Sequence, residues 1–372
     1  MKRIIGYISI LTVLTGVGIL CFIRWNAWFG NPPEPAWEKD TVSYHFYTFA
    51  QDTVPGFVEY NDCWYDTVSP DILRFIVLGD VHNSIIRSEW DSLYLRHPDI
   101  DFYAQVGDFL ERGYFFYYQQ MVSELQGTPF EHLPFVTTPG NHEYRKGIVR
   151  RLPQQWHTWF VNPDNGPQRF AGSTYYVDFA SLRLIVIDTN GLQFLSDYTS
   201  TLTWLNTTLA RAKNKFTMVL MHHPVYSGAV GRQNIPVYLF FRRALQHADI
   251  VFSGHDHNYN RRLPFVGINS AKKFYMSKVS DHDARICSGR QVYELCSVTP
   301  DTLRVETYLA DGTLYDVFGV ARVNDTEHEY FFSCDSLPQE IILLPDKYQS
   351  RTSTKKVQRF LRRKADRLRQ EE

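Results

Sequence analysis

Leu73-Arg74-Phe75-Ile76-Val77-Leu78-Gly79-Asp80-Val81-His82 is the stretch on which the fold turns. A short run rich in branched and aromatic side chains gives way at once to glycine, then to an aspartate and a histidine two apart. The apolar part reads as a strand buried on both faces, and the polar part begins where that strand ends. Comparable runs occupy residues 102–106, 135–136, 182–187, 216–220 and 250–252, each bounded by polar residues, glycine or proline. Amphipathic helix candidates stand between several of them, at 203–212 and 236–247. Strands alternating with helices specify an α/β core with its sheets covered by helices.

The juxtaposition of apolar run and polar cluster recurs along the chain. Residues 102–106 lead into Gly107-Asp108, and residues 135–136 lead through Thr137-Thr138-Pro139 into Gly140-Asn141-His142-Glu143. Residues 216–220 lead into Met221-His222-His223-Pro224, and residues 250–252 into Gly254-His255-Asp256-His257. In α/β sheets, ligands bind at the carboxyl ends of strands, where successive loops converge on one edge. Singly, each cluster has an ordinary structural reading: Gly-Asp is a frequent turn, and a histidine after a strand is often a satisfied core residue. All five in order, each behind a strand signal, point to a single metal-binding edge.

The ordered set Asp80-x-His82, Gly107-Asp108, Gly140-Asn141-His142-Glu143, His222 and Gly254-His255-x-His257 resembles the calcineurin-like metallophosphoesterase superfamily over roughly residues 72–320. Tyr175-Tyr176-Val177-Asp178-Phe179, with Trp204-Leu205 and Leu209, adds a likeness to relatives of the purple acid phosphatases. The resemblance implies a four-layer α/β/β/α sandwich of two β-sheets flanked by helices. It implies a phosphoesterase holding two metal ions (Mn, Fe or Zn), with Asp80, His82 and His257 on one, Asn141, His222 and His255 on the other, and Asp108 bridging them. Mixed oxygen and imidazole donors suit such borderline metals better than Ca. Two cations about 3.5–4 Å apart need a shared carboxylate to screen their repulsion. The implied chemistry is in-line attack of a metal-bridging hydroxide on a phosphate ester, with His142 as general acid or transition-state donor. His223 reads either as a support for its neighbour or as a structural histidine, and Asp256 as the carboxylate that orients the two histidines beside it.

One departure limits the likeness. Purple acid phosphatases carry an iron-binding tyrosine three residues after the bridging aspartate, where this chain has Glu111, and His82 supplies a ligand those enzymes lack. The implied protein is a relative without the tyrosine iron ligand, and an acidic pH optimum does not follow.

The ends of the chain carry a different signal. Met1-Lys2-Arg3 precedes twenty uncharged residues, Ile4 to Ile23, within a chain of 372 residues with net charge −1. A helix of that length spans about 30 Å, the hydrocarbon thickness of a bilayer. Arg24, Trp25, Trp28 and Phe29 follow, residue types that favour a membrane interface. The segment is expected to be an uncleaved single-pass anchor rather than a signal peptide, because no small-x-small cleavage site follows it. Positive charge before it and Glu34, Glu38 and Asp40 after it place the N-terminus in the cytoplasm and the catalytic domain outside.

The expected organisation is therefore an n-region and anchor at 1–24, a Pro-rich stalk and lead-in at 25–71, the phosphoesterase domain at 72–322, an extension at 323–350 and a basic amphipathic tail at 351–372. Cys63, Cys287, Cys296 and Cys334 offer either two disulfides or four thiols. The tail reads as a membrane-seeking helix or as a solvated end. Tyr114-Phe115-Phe116-Tyr117-Tyr118 reads as a helix packed on the core or as a stacking platform for a base or sugar, and Arg145, Lys146, Arg150 and Arg151 as holders of a second phosphate. The expected partners are the membrane, through residues 4–23, and a phosphorylated small molecule or lipid; no nucleic acid is expected. A phosphodiesterase acting on an envelope lipid or a nucleotide diester, or a non-catalytic metal-binding membrane scaffold, are the alternatives.

Overall fold

A computed structural model describes residues 45–69, 71–145, 149–278, 280, 282–324, 327–333 and 340–342. The expected anchor at 4–23, Lys146, Cys334 and the tail at 351–372 lie outside the described residues. Among the described residues, no helix is long and apolar enough to cross a membrane.

The chain begins with β1 (Phe57–Tyr60), β2 (Cys63–Asp66), β3 (Leu73–Leu78), α1 (Arg87–Arg96), β4 (Phe102–Gln105), α2 (Phe115–Leu125) and β5 (Phe135–Val136). It continues through α3 (Gln154–Trp159), β6 (Tyr175–Asp178), β7 (Leu182–Ile187), α4 (Leu195–Ala210), β8 (Phe216–Met221), α5 (Ile235–Leu245) and β9 (Ile250–Ser253). The last strands are β10 (Asn258–Arg262), β11 (Phe265–Gly267), β12 (Arg285–Ser288), β13 (Val292–Val298), β14 (Thr302–Leu309), β15 (Leu314–Asn324), β16 (Glu327–Phe332) and β17 (Glu340–Ile342).

Two mixed sheets result. One has the order β16-β15-β14-β13-β3-β4-β5, the other β17-β12-β10-β11-β9-β8-β7-β6. At one end of the first, β3, β4 and β5 run parallel; in the second, β7, β8 and β9 do. Side chains alternate between faces along a strand, so each apolar run feeds two cores. Phe75, Val77, Phe102 and Ala104 meet Leu184, Val186, Met218 and Leu220 between the sheets. Ile76, Leu78 and Tyr103 point the other way, onto Trp90 and Leu93 of α1 and Tyr118 and Met121 of α2. Ile185, Ile187, Val219 and Met221 pack on Leu205 of α4 and Val237 and Phe241 of α5. The layers run helix, sheet, sheet, helix.

The aromatic stretch at 114–118 falls mainly in the helical layer. Tyr118 is buried and stacks on Trp159 at 4.6 Å, while Phe116 stays exposed. The lead-in contributes to the body: Phe46 joins the outer core of the first sheet, and Phe49, Phe57 and Trp64 join the core between the sheets. Cys63, Cys287 and Cys296 are free thiols, the last two buried in β12 and β13.

A charged cluster pins the two sheets together at one end. Asp316 on β15 accepts from Tyr259 at 2.6 Å and from Arg261 Nε at 2.6 Å, both on β10, and faces Arg285 Nε of β12 at 2.9 Å. All four side chains are buried, and one carboxylate is shared by two guanidinium groups. Breaking a buried pair from one side leaves an uncompensated charge. Asp316→Ala should therefore lower unfolding stability by about 3–5 kcal/mol, read from urea melts followed by circular dichroism. A loss below about 1 kcal/mol would show that the cluster is not a structural tie.

Candidate metal centre

The turns after β3, β4, β5, β8 and β9 carry donors, and those after β3, β4 and β9 share an unusual backbone. Asp80, His82, Asp108, His255 and His257 all have positive φ, between 50° and 70°. Left-handed backbone at a non-glycine residue costs about 1–2 kcal/mol. Five such residues at one edge are held there by the strands behind them. Two glycines make the close approach possible. A Cβ on Gly107 would press into the His222 ring, and one on Gly140 into the Asp108 backbone nitrogen and carboxylate.

The seven expected ligands converge. Asp80, His82, Asp108 and His257 place donor atoms all within 4.8 Å of one another. His257 Nε2 lies 3.5 Å from Asp80 Oδ1 and 3.3 Å from His82 Nε2. Beside them, Asn141 Oδ1 lies 3.1 Å from His222 Nε2 and 2.9 Å from His255 Nδ1. Asp108 joins the two groups, with Oδ2 at 3.6 Å from His82 Nε2 and 3.4 Å from His222 Nε2.

In two of the rings the second nitrogen decides what these contacts are. His222 Nδ1 lies 3.1 Å from the Val106 carbonyl and His257 Nδ1 lies 2.8 Å from the Lys273 carbonyl, so both donate there. Their Nε2 atoms are then lone pairs aimed at other acceptors. Asp80 Oδ2 is buried without a hydrogen-bond partner. Lone pairs facing lone pairs is the arrangement that a cation satisfies and protons do not, and the mixed oxygen and imidazole donor set fits a divalent ion.

Electrostatics agree. Burial pushes Asp108 up to about 7 and Asp80 well above the usual carboxylate range. Burial, reinforced by His142 and His257, holds His82 down at about 2, and burial holds His257 at about 3. The imidazoles are neutral and ligand-ready at neutral pH, and the carboxylates lack enough positive charge nearby.

Glu143 braces the site from behind, a role its sequence position did not disclose. Its buried carboxylate accepts from Asp108 N at 3.0 Å, Leu110 N at 2.8 Å and Gly140 N at 2.6 Å. Glu111 reaches His82 Nδ1 at 3.3 Å, and its carbonyl receives His142 Nδ1 at 2.5 Å. Asp256 departs from expectation. It does not orient the flanking histidines but turns away to accept from Ser227 Oγ at 2.7 Å and to face Arg232 Nε at 3.4 Å. His223 is buried, with Nδ1 3.0 Å from Thr189 Oγ1, and its ring packs on His255 at 4.5 Å.

Residues 73–259 match the calcineurin-like phosphoesterase family. The chain belongs to that family. Among solved structures, purple acid phosphatase PPD1 from yellow lupin (Lupinus luteus) seeds shares the fold with a TM-score of 0.55 at 16% identity, over 68% of this chain and 54% of that one. The chain thus spans about half the length of that phosphatase. GAP50, the anchor in the inner membrane complex of Plasmodium, aligns with a TM-score of 0.49 at 13% identity, over 74% of this chain and 98% of that one. PhoD aligns with a TM-score of 0.47 at 11% identity, over 78% of each. No curated protein matches the chain by sequence.

Two predictions follow from the bracing and the burial. Glu143→Gln keeps the shape but puts an NH2 group against a backbone N–H, so Mn affinity should fall about 10–100-fold in a chelator-competition titration. Unchanged affinity would remove Glu143 from the site. Burial also raises Glu143 to about 8, so with Asp108 it holds protons in the folded state that the unfolded chain has released. The histidines exert the opposite slope only below their ordinary value of 6.5. The chelator-treated protein should therefore lose thermal stability as pH rises from about 6.5 to about 8.5, and Mn should restore more at the higher pH. A midpoint that is flat across that window in chelator contradicts the assignment.

Proposed function

We propose that the protein is a binuclear metal-dependent phosphoesterase, tethered to a membrane by residues 4–23 with its catalytic domain outside the cytoplasm. The observation that carries this reading is the convergence of Asn141, His222 and His255 beside Asp80, His82 and His257, with Asp108 between the two groups. When bound, divalent ions supply the positive charge that polarises a phosphoryl group and acidifies an attacking water.

The chain's own residues supply the rest. Asp108 turns one oxygen to each half of its surroundings: Oδ2 to the histidines and Oδ1 to the backbone N–H of His142, at 2.8 Å. That bond fixes the His142 backbone against the site. Its ring stands edge-on to His82 with centroids 4.4 Å apart, and Nδ1–H donates to the Glu111 carbonyl. In the protonated ring, Nε2–H is the proton left to deliver to a leaving-group oxygen.

Full-length protein supplied with Mn should release nitrophenol from a nitrophenyl phosphate monoester or diester. Asp108→Asn should fall to background, and His142→Ala should lose about 10²–10⁴-fold in kcat. If the loaded wild-type chain turns over neither ester, the reading fails; full activity in His142→Ala would remove only the proton-donor role.

A further inference from the structure

Loops and first helical turns at the edge that carries the donors also carry exposed apolar side chains. Ile86 and Phe116 stand where the chain leaves β3 and β4 for α1 and α2, and Phe194 and Leu195 where it leaves β7 for α4. Val230 and Ile235 occupy the connection from β8 to α5. All six follow the carboxyl ends of parallel strands, the same edge that holds Asp80, Asp108, Asn141, His222 and His255. Leu195 is 68% exposed, Ile235 56% and Phe116 53%, so these are large apolar groups held in water at that edge. Single exposed apolar residues are ordinary, but several of them gathered on the polar edge that holds the donors mark a docking surface.

The same edge carries positive charge next to the donors. Arg232 lies over the Tyr275 ring at 3.9 Å and donates to the His255 carbonyl at 2.7 Å; its charge is felt at Asp80 and Asp108. Lys273 is 5.3 Å from the same ring centre and its charge reaches His82 and His257. Arg150 acts in the same way on His223. Glu111 is an acid in the same place, and it is turned to His82. Apolar groups and cations on one edge complement a bilayer whose hydrocarbon lies behind a layer of phosphate.

We infer that this rim seats the catalytic edge on an anionic lipid bilayer, and that the phosphate ester it takes is a lipid headgroup. The inference rests on the phosphoesterase reading and names its substrate class. Tether length permits the pose. Residues 25–44 can span at most about 70 Å, whereas a domain of this size is about 50 Å across. The domain can therefore turn its catalytic edge to the membrane that anchors it.

The test reconstitutes the full-length, Mn-supplied chain in vesicles of phosphatidylcholine and phosphatidic acid. Phosphate release from that long-chain phosphatidic acid is compared with release from a dissolved short-chain phosphatidic acid. The bilayer substrate should be favoured at least about tenfold, and Phe116→Ser/Leu195→Ser/Ile235→Ser should abolish that preference. Insertion is read without turnover in Leu195→Trp: phosphatidylcholine brominated on its acyl chains should quench its fluorescence beyond the quenching of the parent chain. Equal turnover of both substrates, unchanged in the triple variant and with no added quenching, overturns the inference and leaves the phosphoesterase standing. Quenching at position 195 in a chain that turns over no ester does the reverse: the docking surface holds and the phosphoesterase reading falls.

Discussion

Asp108 is the point at which the two sheets become one site. Its carboxylate is buried just beyond the end of β4 in the first sheet, yet it faces His82 from that sheet and His222 from the other. A carboxylate in that position is costly unless something compensates it. The surrounding structure is arranged around that cost. Glu143 grips the Asp108 backbone, Gly107 and Gly140 clear the space, and the His142 N–H occupies the remaining oxygen.

Holding such a group in place requires a rigid frame. The frame comes from the alternation of each central strand between the inter-sheet core and a helical layer, and from the Asp316 cluster that ties β10 and β12 to β15. Left-handed backbone at five donor residues is unfavourable by itself. Short turns between deeply buried strands leave those residues no alternative path. Packing far from the donors thus sets their geometry.

Much of this was legible in the sequence, for physical reasons. Central strands buried on both faces announce themselves as unbroken apolar runs, and the donors follow them because loops at one sheet edge converge. Other parts were silent. Strand β10, Asn258-Tyr259-Asn260-Arg261-Arg262, reads as polar; it is buried because Arg261 finds Asp316 on the opposite sheet. Helix α1 has only Trp90 and Leu93 buried, too little to write a helical period. Glu143 bonds only to backbone N–H groups, which no residue pattern reveals. Asp256 was misread because adjacency to two histidines says nothing about where a tight turn points the side chain between them.

The separation of His82 and His257 along the chain, 175 residues for atoms 3.3 Å apart, has a consequence for biogenesis. The first donors leave the ribosome long before their partners. Until β9 is made and its sheet has docked, the early donors have no complete set to offer a cation. Tight ion capture is therefore coupled to finished folding. Any metal held at this edge is therefore acquired last, in whatever compartment the domain completes its fold, and the ion supply of that compartment selects which is kept.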